Sequence, residues 1–110
     1  MNWTAEPTTT AAVINASPLI FLSRAGQLEL LQVLSCQLVV PKPVVEEIAC
    51  RGPSDPTVRQ LTKTAWLHQV ESPPIPPNLL LWNLGPGESA VLAYALKHQG
   101  TTAILSPAYV

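Results

Sequence analysis

The chain has few charged residues and only two cysteines. Charged residues are 12% of its 110 residues, and six Lys and Arg against seven Asp and Glu leave a formal net charge of -1. This excludes a broad basic surface, so any chemistry on nucleic acid has to rely on a local site or a partner. Cys36 and Cys50 have no Cys-x-x-Cys or histidine spacing around them, so the sequence indicates neither a zinc site nor a disulfide framework and predicts two buried thiols.

Long apolar runs and aromatic clusters are also missing. No run approaches the roughly 20 residues that span a bilayer, and residues 1–10 lack the regions of a signal peptide, so a cytoplasmic protein without membrane contact is expected. Trp3, Trp66 and Trp82 are scattered, which favours packing in or beside the core over a platform for stacking bases. The hydrophobic content of 47% suits one modest core, so we predict a lead-in over residues 1–11 and a single domain over 12–110.

Short apolar segments alternate with helical ones along the chain. Strands are predicted around 12–14, 37–41, 66–70 and 101–105, and helices over 17–34 with a break at Gly26 and Gln27, from Pro43 to about 50, from Ser54 or Asp55 to Ala65, and over 79–84 and 89–99. Right-handed crossovers between such strands give a parallel sheet with helices on both faces. The sequence therefore predicts an α/β fold.

Three polar residues stand near predicted junctions of strands and helices. Asn15 follows the first strand and precedes Ser17 and Pro18, Glu47 lies in the segment after the second strand, and Glu88 follows Gly87. Ligands of parallel α/β sheets bind outside the carboxyl ends of the strands. Carboxylate and amide oxygens there are suited to Mg²⁺ or Mn²⁺, which would support metal-assisted cleavage of a phosphodiester.

A purely structural explanation covers the same residues, and from spacing alone it is the stronger one. Asn15 suits a helix cap, Glu46 and Glu47 suit a first helical turn, and Glu88 suits a helix N-terminus. The Gly-Pro-Gly-Glu-Ser segment lacks the lysine of a P-loop. His68 and His98 are far apart in sequence, and neither cysteine has an evident base, so covalent catalysis has little support.

Three blocks in this order resemble the PIN-domain nucleases, and within them a branch similar to VapC-type toxins. The blocks are Val13–Ile20, Val40–Ile48 and Leu84–Ala90, and the likeness extends over about residues 12–106. The resemblance implies a three-layer α/β/α fold, a Mg²⁺- or Mn²⁺-dependent endoribonuclease, an RNA substrate, a cognate antitoxin protein and a homodimer. It assigns metal-binding and catalytic roles to Glu47, Glu88 and Asn15. Glu46, the neighbour of Glu47, is a less favoured candidate for the same role.

The chain departs from the family pattern at two places. Asn15 stands where the pattern has an acidic residue, and Ser106 marks the position of an acidic pair. An amide oxygen still coordinates a cation but brings no charge. Ser17 matches a small hydroxyl residue near the metal, although a helix cap also explains it. The pattern's last helix and strand have no counterpart here, so we expect missing C-terminal elements and an edge that a second subunit covers.

Two functions remain open at this point. The first is a toxin-type ribonuclease of reduced or lost activity, favoured by Glu47 and Glu88. The second is a non-catalytic PIN-like module that dimerises or binds an antitoxin-like partner, favoured by Asn15 and Ser106.

Overall fold

The computed structural model describes residues 11–34 and 37–105. Four short strands form one parallel sheet: β1 is Ala11–Ile14, β2 Gln37–Pro41, β3 Leu67–Val70 and β4 Thr102–Ile104. Their order is β3-β2-β1-β4, so β1 lies inside the sheet, with β2 on one side and β4 on the other. Val13, Ile14 and Val39 are almost fully buried, as expected for inner parallel strands with continuous apolar runs.

Helices connect the strands in the predicted order. They are α1 Ala16–Arg24, a 3₁₀ helix Leu28–Leu34, α2 Lys42–Ala49, α3 Pro56–Lys63, α4 Pro77–Leu80 and α5 Pro86–Lys97. The chain moves from β1 to β2 to β3 and then returns to β4. With right-handed crossovers, this reversal puts α1 and α3 on one face of the sheet and α5 on the other. The predicted α/β class is confirmed.

Three helices begin earlier than the sequence indicates. The residue before α1 is Asn15, so Ser17 is its second residue and not its cap. Helix α2 begins at Lys42, which moves Glu46 and Glu47 beyond its first turn, and α5 begins at Pro86 instead of Ser89. The predictions of a Ser17 cap and of two first-turn glutamates are therefore wrong.

The segment after α1 buries only some of its leucines. Its 3₁₀ helix buries Leu28 and Leu31, whereas Leu30 and Leu34 are exposed. A 3₁₀ helix has three residues per turn, so Leu30 lies outside the face that Leu28 and Leu31 share. Leu34 is on that face by spacing, but it is the last residue of the helix and is exposed.

Cys50 is exposed, so the prediction of a buried thiol is wrong for this residue. It follows Ala49 as the C-cap of α2, two positions after the last buried residue of that helix, Ile48. Cys36 lies outside the described residues. Within 11–34 and 37–105, no helix has both the length and the apolar character needed to cross a membrane.

Candidate functional site

Asn15 stands at the carboxyl end of β1, where the chain turns into α1. Its backbone N–H donates to the carbonyl of Ile104 at 2.9 Å, which ties it to the end of the neighbouring strand β4. The residue is the N-cap of α1 by position, yet its side chain makes no capping hydrogen bond. The side-chain oxygen Oδ1 is buried and has no hydrogen-bond partner among the described residues. A buried oxygen without a partner is costly, so capping does not explain this side chain.

Glu47 is the sixth residue of α2, the helix that follows β2. An exposed position beyond the first turn gains little from the helix dipole, so the structural explanation given for this glutamate fails. Its neighbour Glu46 is exposed as well. What distinguishes Glu47 is a close approach to the first turn of α5.

Gly87 is the point at which three segments meet. A Cβ atom built on this glycine would lie 2.6 Å from Oε1 of Glu47, 3.3 Å from Oδ1 of Asn15 and 3.4 Å from Cγ2 of Val44. The Glu47 and Asn15 oxygens therefore both border the small space in front of Gly87. Gly87 is buried, while Glu47 is exposed, so this space adjoins solvent on the side of Glu47.

Glu88 is the next residue of α5 and lies in the first turn of that helix, half-buried. The helix dipole favours a carboxylate at this position, so the structural explanation still holds for Glu88. The sequence thus predicts three site residues. The structure brings two of them, Asn15 and Glu47, together beside Gly87, and the third, Glu88, is the next residue after that glycine. The roles of these three residues stay predictions.

The donor set fits a hard divalent cation. Mg²⁺ and Mn²⁺ prefer oxygen ligands, and Mg²⁺ retains several waters and needs only one or two carboxylates from the protein. Asn15 supplies a buried oxygen with no protein partner, and Glu47 supplies a negative charge beside it. Within the described part of the chain, no group of three or more His, Cys, Asp or Glu side chains is placed to hold a metal ion. A cation here would therefore depend on two carboxylates at most and on the Asn15 amide.

The remaining residues considered from sequence are exposed, stack on another ring or lie outside the described chain. Ser17 is exposed in the first turn of α1, and His68 is exposed on β3. His98 follows the end of α5, where its ring stacks on Tyr94 with 4.2 Å between ring centroids. Ser106 lies outside the described residues.

Sequence reasoning missed two features near the start of α5. The Gly-Pro-Gly segment is typical of a turn, but the structure places Gly87 inside α5, where a glycine lowers helix propensity and leaves room for a close contact. Trp82 is predicted in or beside the core, but it is 62% exposed, and its neighbours Leu80 and Leu81 are exposed as well.

A parallel α/β sheet with oxygen-bearing side chains at its carboxyl edge defines a broad class of ligand-binding and catalytic proteins. Comparison with protein families narrows this class, because a family model described as a PIN domain matches residues 11–106. The chain therefore belongs to the PIN-domain family, and membership points to a nuclease-type function. Comparison with curated proteins gave no match, and comparison with solved structures gave none either.

Proposed function

We propose that this protein is a metal-dependent ribonuclease that hydrolyses phosphodiester bonds of single-stranded RNA, with Asn15, Glu47 and Glu88 as its site. One observation carries the proposal: the buried, unpaired oxygen of Asn15 and the carboxylate of Glu47 border the same space at Gly87. Neither helix capping nor the helix dipole accounts for these two side chains. A divalent cation would satisfy both.

The three side chains have distinct roles in this proposal. Asn15 and Glu47 hold Mg²⁺ or Mn²⁺ through oxygen atoms, and the ion when bound supplies Lewis acidity at a phosphate oxygen. Glu88 orients the attacking water or takes its proton, as a carboxylate within hydrogen-bonding reach of a water can do. With a neutral amide in place of a third carboxylate, the site has less negative charge to hold the cation, so we expect weak metal binding and modest activity.

The finer assignment is to the toxin-type, VapC-like branch of the family. Its support is the resemblance of Val13–Ile20, Val40–Ile48 and Leu84–Ala90 to that branch. An antitoxin protein as partner follows from this assignment.

Cleavage of a labelled single-stranded RNA by the purified chain in Mn²⁺ tests the proposal. We expect cleavage that EDTA abolishes and that Glu47→Gln and Glu88→Gln each reduce strongly. Glu46→Gln is the matched control, because it removes the same charge from the adjacent, exposed position of α2 and should cleave like the unmodified chain. Cleavage that survives EDTA, or that persists unchanged in both Glu47→Gln and Glu88→Gln, would contradict the proposal.

A non-catalytic binding module is the second candidate, and one observation favours it. Three exposed apolar residues follow one another here: Leu80 at the end of α4, then Leu81 and Trp82. We call these three residues the apolar loop, and they are 64%, 84% and 62% exposed. Consecutive exposed apolar side chains of this size often mark a surface that another protein covers. We propose a second copy of this chain as the partner in this case, and absence of metal-dependent cleavage together with a stable dimer would favour this function.

A further inference from the structure

The close approach at Gly87 has a consequence for the geometry of the site. Glycine is usually required where the backbone adopts a positive φ, and in the described chain the glycines of that kind are Gly26, Gly52 and Gly100. Gly87 is not among them, so its backbone conformation is open to other residues. Only the space in front of it restricts the choice of side chain there.

From this we infer that Gly87 is a positioning residue for Glu47: the missing Cβ lets the Glu47 carboxylate stand beside the amide oxygen of Asn15. A Cβ atom on residue 87 would lie 2.6 Å from Oε1 of Glu47, which is closer than a Cβ approaches another heavy atom, so either the Cβ or Oε1 must move. The atom in the way is the far end of a flexible and exposed side chain, which moves at little cost. A side chain at position 87 therefore displaces the carboxylate and leaves the fold in place. This inference rests on the proposed function, because it concerns the same site.

The effect of Gly87→Ala should be separable from stability. Alanine is the better helix former, which offsets the tight contacts to Asn15 Oδ1 and Val44 Cγ2. We therefore expect the thermal unfolding midpoint of the metal-free protein to change little. Mn²⁺ affinity, measured by titration calorimetry without RNA, should fall by about tenfold or more, the size of loss seen when the groups that orient metal ligands are removed.

Gly85→Ala is the matched control. Gly85 is the N-cap of the same helix, and a Cβ built there meets nothing within 4 Å. The same change of side chain two residues earlier should leave Mn²⁺ affinity unchanged. A helix-wide effect of replacing glycine would instead lower affinity in both variants.

Shortening Glu47 shows whether position 87 acts through this carboxylate. The Asp side chain is one methylene shorter than Glu, so in Glu47→Asp the carboxylate lies farther from the place that a Cβ at position 87 would occupy. In a Glu47→Asp background, Gly87→Ala should therefore weaken Mn²⁺ binding much less than it does in the unmodified chain, because residues in contact are not additive.

The outcomes separate the two claims. If the unmodified chain binds Mn²⁺ and Gly87→Ala binds it equally well, Gly87 does not position the site, and the proposed function stands. If Gly87→Ala lowers the unfolding midpoint sharply while Mn²⁺ affinity is retained, Gly87 is a packing residue only and the inference is overturned. If the unmodified chain binds no Mn²⁺, the proposed function fails, whatever the variants do.

Discussion

At the scale of one residue, Asn15 occupies a helix N-cap position, but its side chain does not cap the helix. It occupies an N-cap, where asparagine normally accepts a hydrogen bond from the first turn. Here the helix turn is left without that bond, and Oδ1 is buried without a partner. The free energy lost by leaving this buried oxygen unpaired, about 1–3 kcal/mol, is recovered if a cation occupies the site.

A substitution at Asn15 tests the electrostatics of the site. Asn15→Asp places a second carboxylate beside Glu47, so the metal-free protein should unfold at a lower temperature because the two charges repel each other. Mn²⁺ affinity should rise by roughly tenfold or more, since an added charge at ligand distance attracts the cation. Calorimetry and thermal unfolding with and without Mn²⁺ measure both effects.

Ser17→Asp controls for that substitution, because it adds the same charge at an exposed position two residues along the chain. It should change Mn²⁺ affinity little in buffer of moderate ionic strength, where exposed charges are screened. Equal gains in the two variants would show that Asn15 does not contact the ion.

The starts of the helices show, at the scale of the element, why strands were predicted more closely than helix boundaries. Buried parallel strands such as 37–41 are apolar throughout, and their limits follow from composition. Prolines near the predicted helix starts indicated these helices. The first four N–H groups of a helix have no partner inside it, so a proline, which lacks this group, is tolerated at any of these positions. Proline therefore fits several positions, and it is third in α1, second in α2 and first in α5. This freedom produced the errors at Ser17 and at Glu46 and Glu47.

Helix α3 provides a test of a helix cap, which the sequence left open between Ser54 and Asp55 and which the structure assigns to Asp55. Asp55 accepts hydrogen bonds from the N–H of Thr57 at 2.9 Å and from Nε of Arg51 at 3.0 Å. Burial alone would raise the pKa of Asp55, but these hydrogen bonds and the charge of Arg51 hold the pKa below its ordinary value of 3.8. Because the pKa is lower in the folded chain than in the unfolded chain, ionised Asp55 stabilises the fold above the unfolded-state pKa. This stabilisation is lost as the pH falls through the folded-state pKa.

The Asp55→Asn variant keeps a capping side chain but does not titrate. Below about pH 4 the unfolding midpoint of the unmodified chain should fall more steeply than that of the variant. Circular dichroism melts across the acid range measure this difference. Parallel curves for the two proteins would mean that the Asp55 hydrogen bonds do not hold its pKa down.

At the scale of the whole molecule, the parallel sheet accounts for the part of the site that could be predicted. Strands that end at one edge bring the segments that follow them together, and this places Asn15 beside Glu47. Gly87 could not be assigned to this contact from sequence, because its importance comes from α5 packing against α2. The exposed apolar loop was missed for a related reason, since apolar composition alone does not tell a core segment from a surface that another protein covers.

The apolar loop carries a prediction about assembly. If a second copy of the chain covers it, the unmodified protein should be dimeric by light scattering, and Leu81→Lys combined with Trp82→Lys should be monomeric and folded. Leu96→Lys is a suitable control, because Leu96 is an exposed leucine near the end of α5. A monomeric unmodified chain at high concentration would contradict self-association through this loop.

Mn²⁺ binding to the unmodified chain, compared with its Glu47→Gln and Glu46→Gln variants, tests the central claim most directly. The two substitutions remove the same charge from adjacent exposed residues of α2, and only Glu47 borders the space shared with Asn15. Titration calorimetry should show one binding event that Glu47→Gln weakens by about tenfold or more and Glu46→Gln leaves intact. No binding to the unmodified chain, or equal losses in the two variants, would contradict a cation site formed by Asn15 and Glu47.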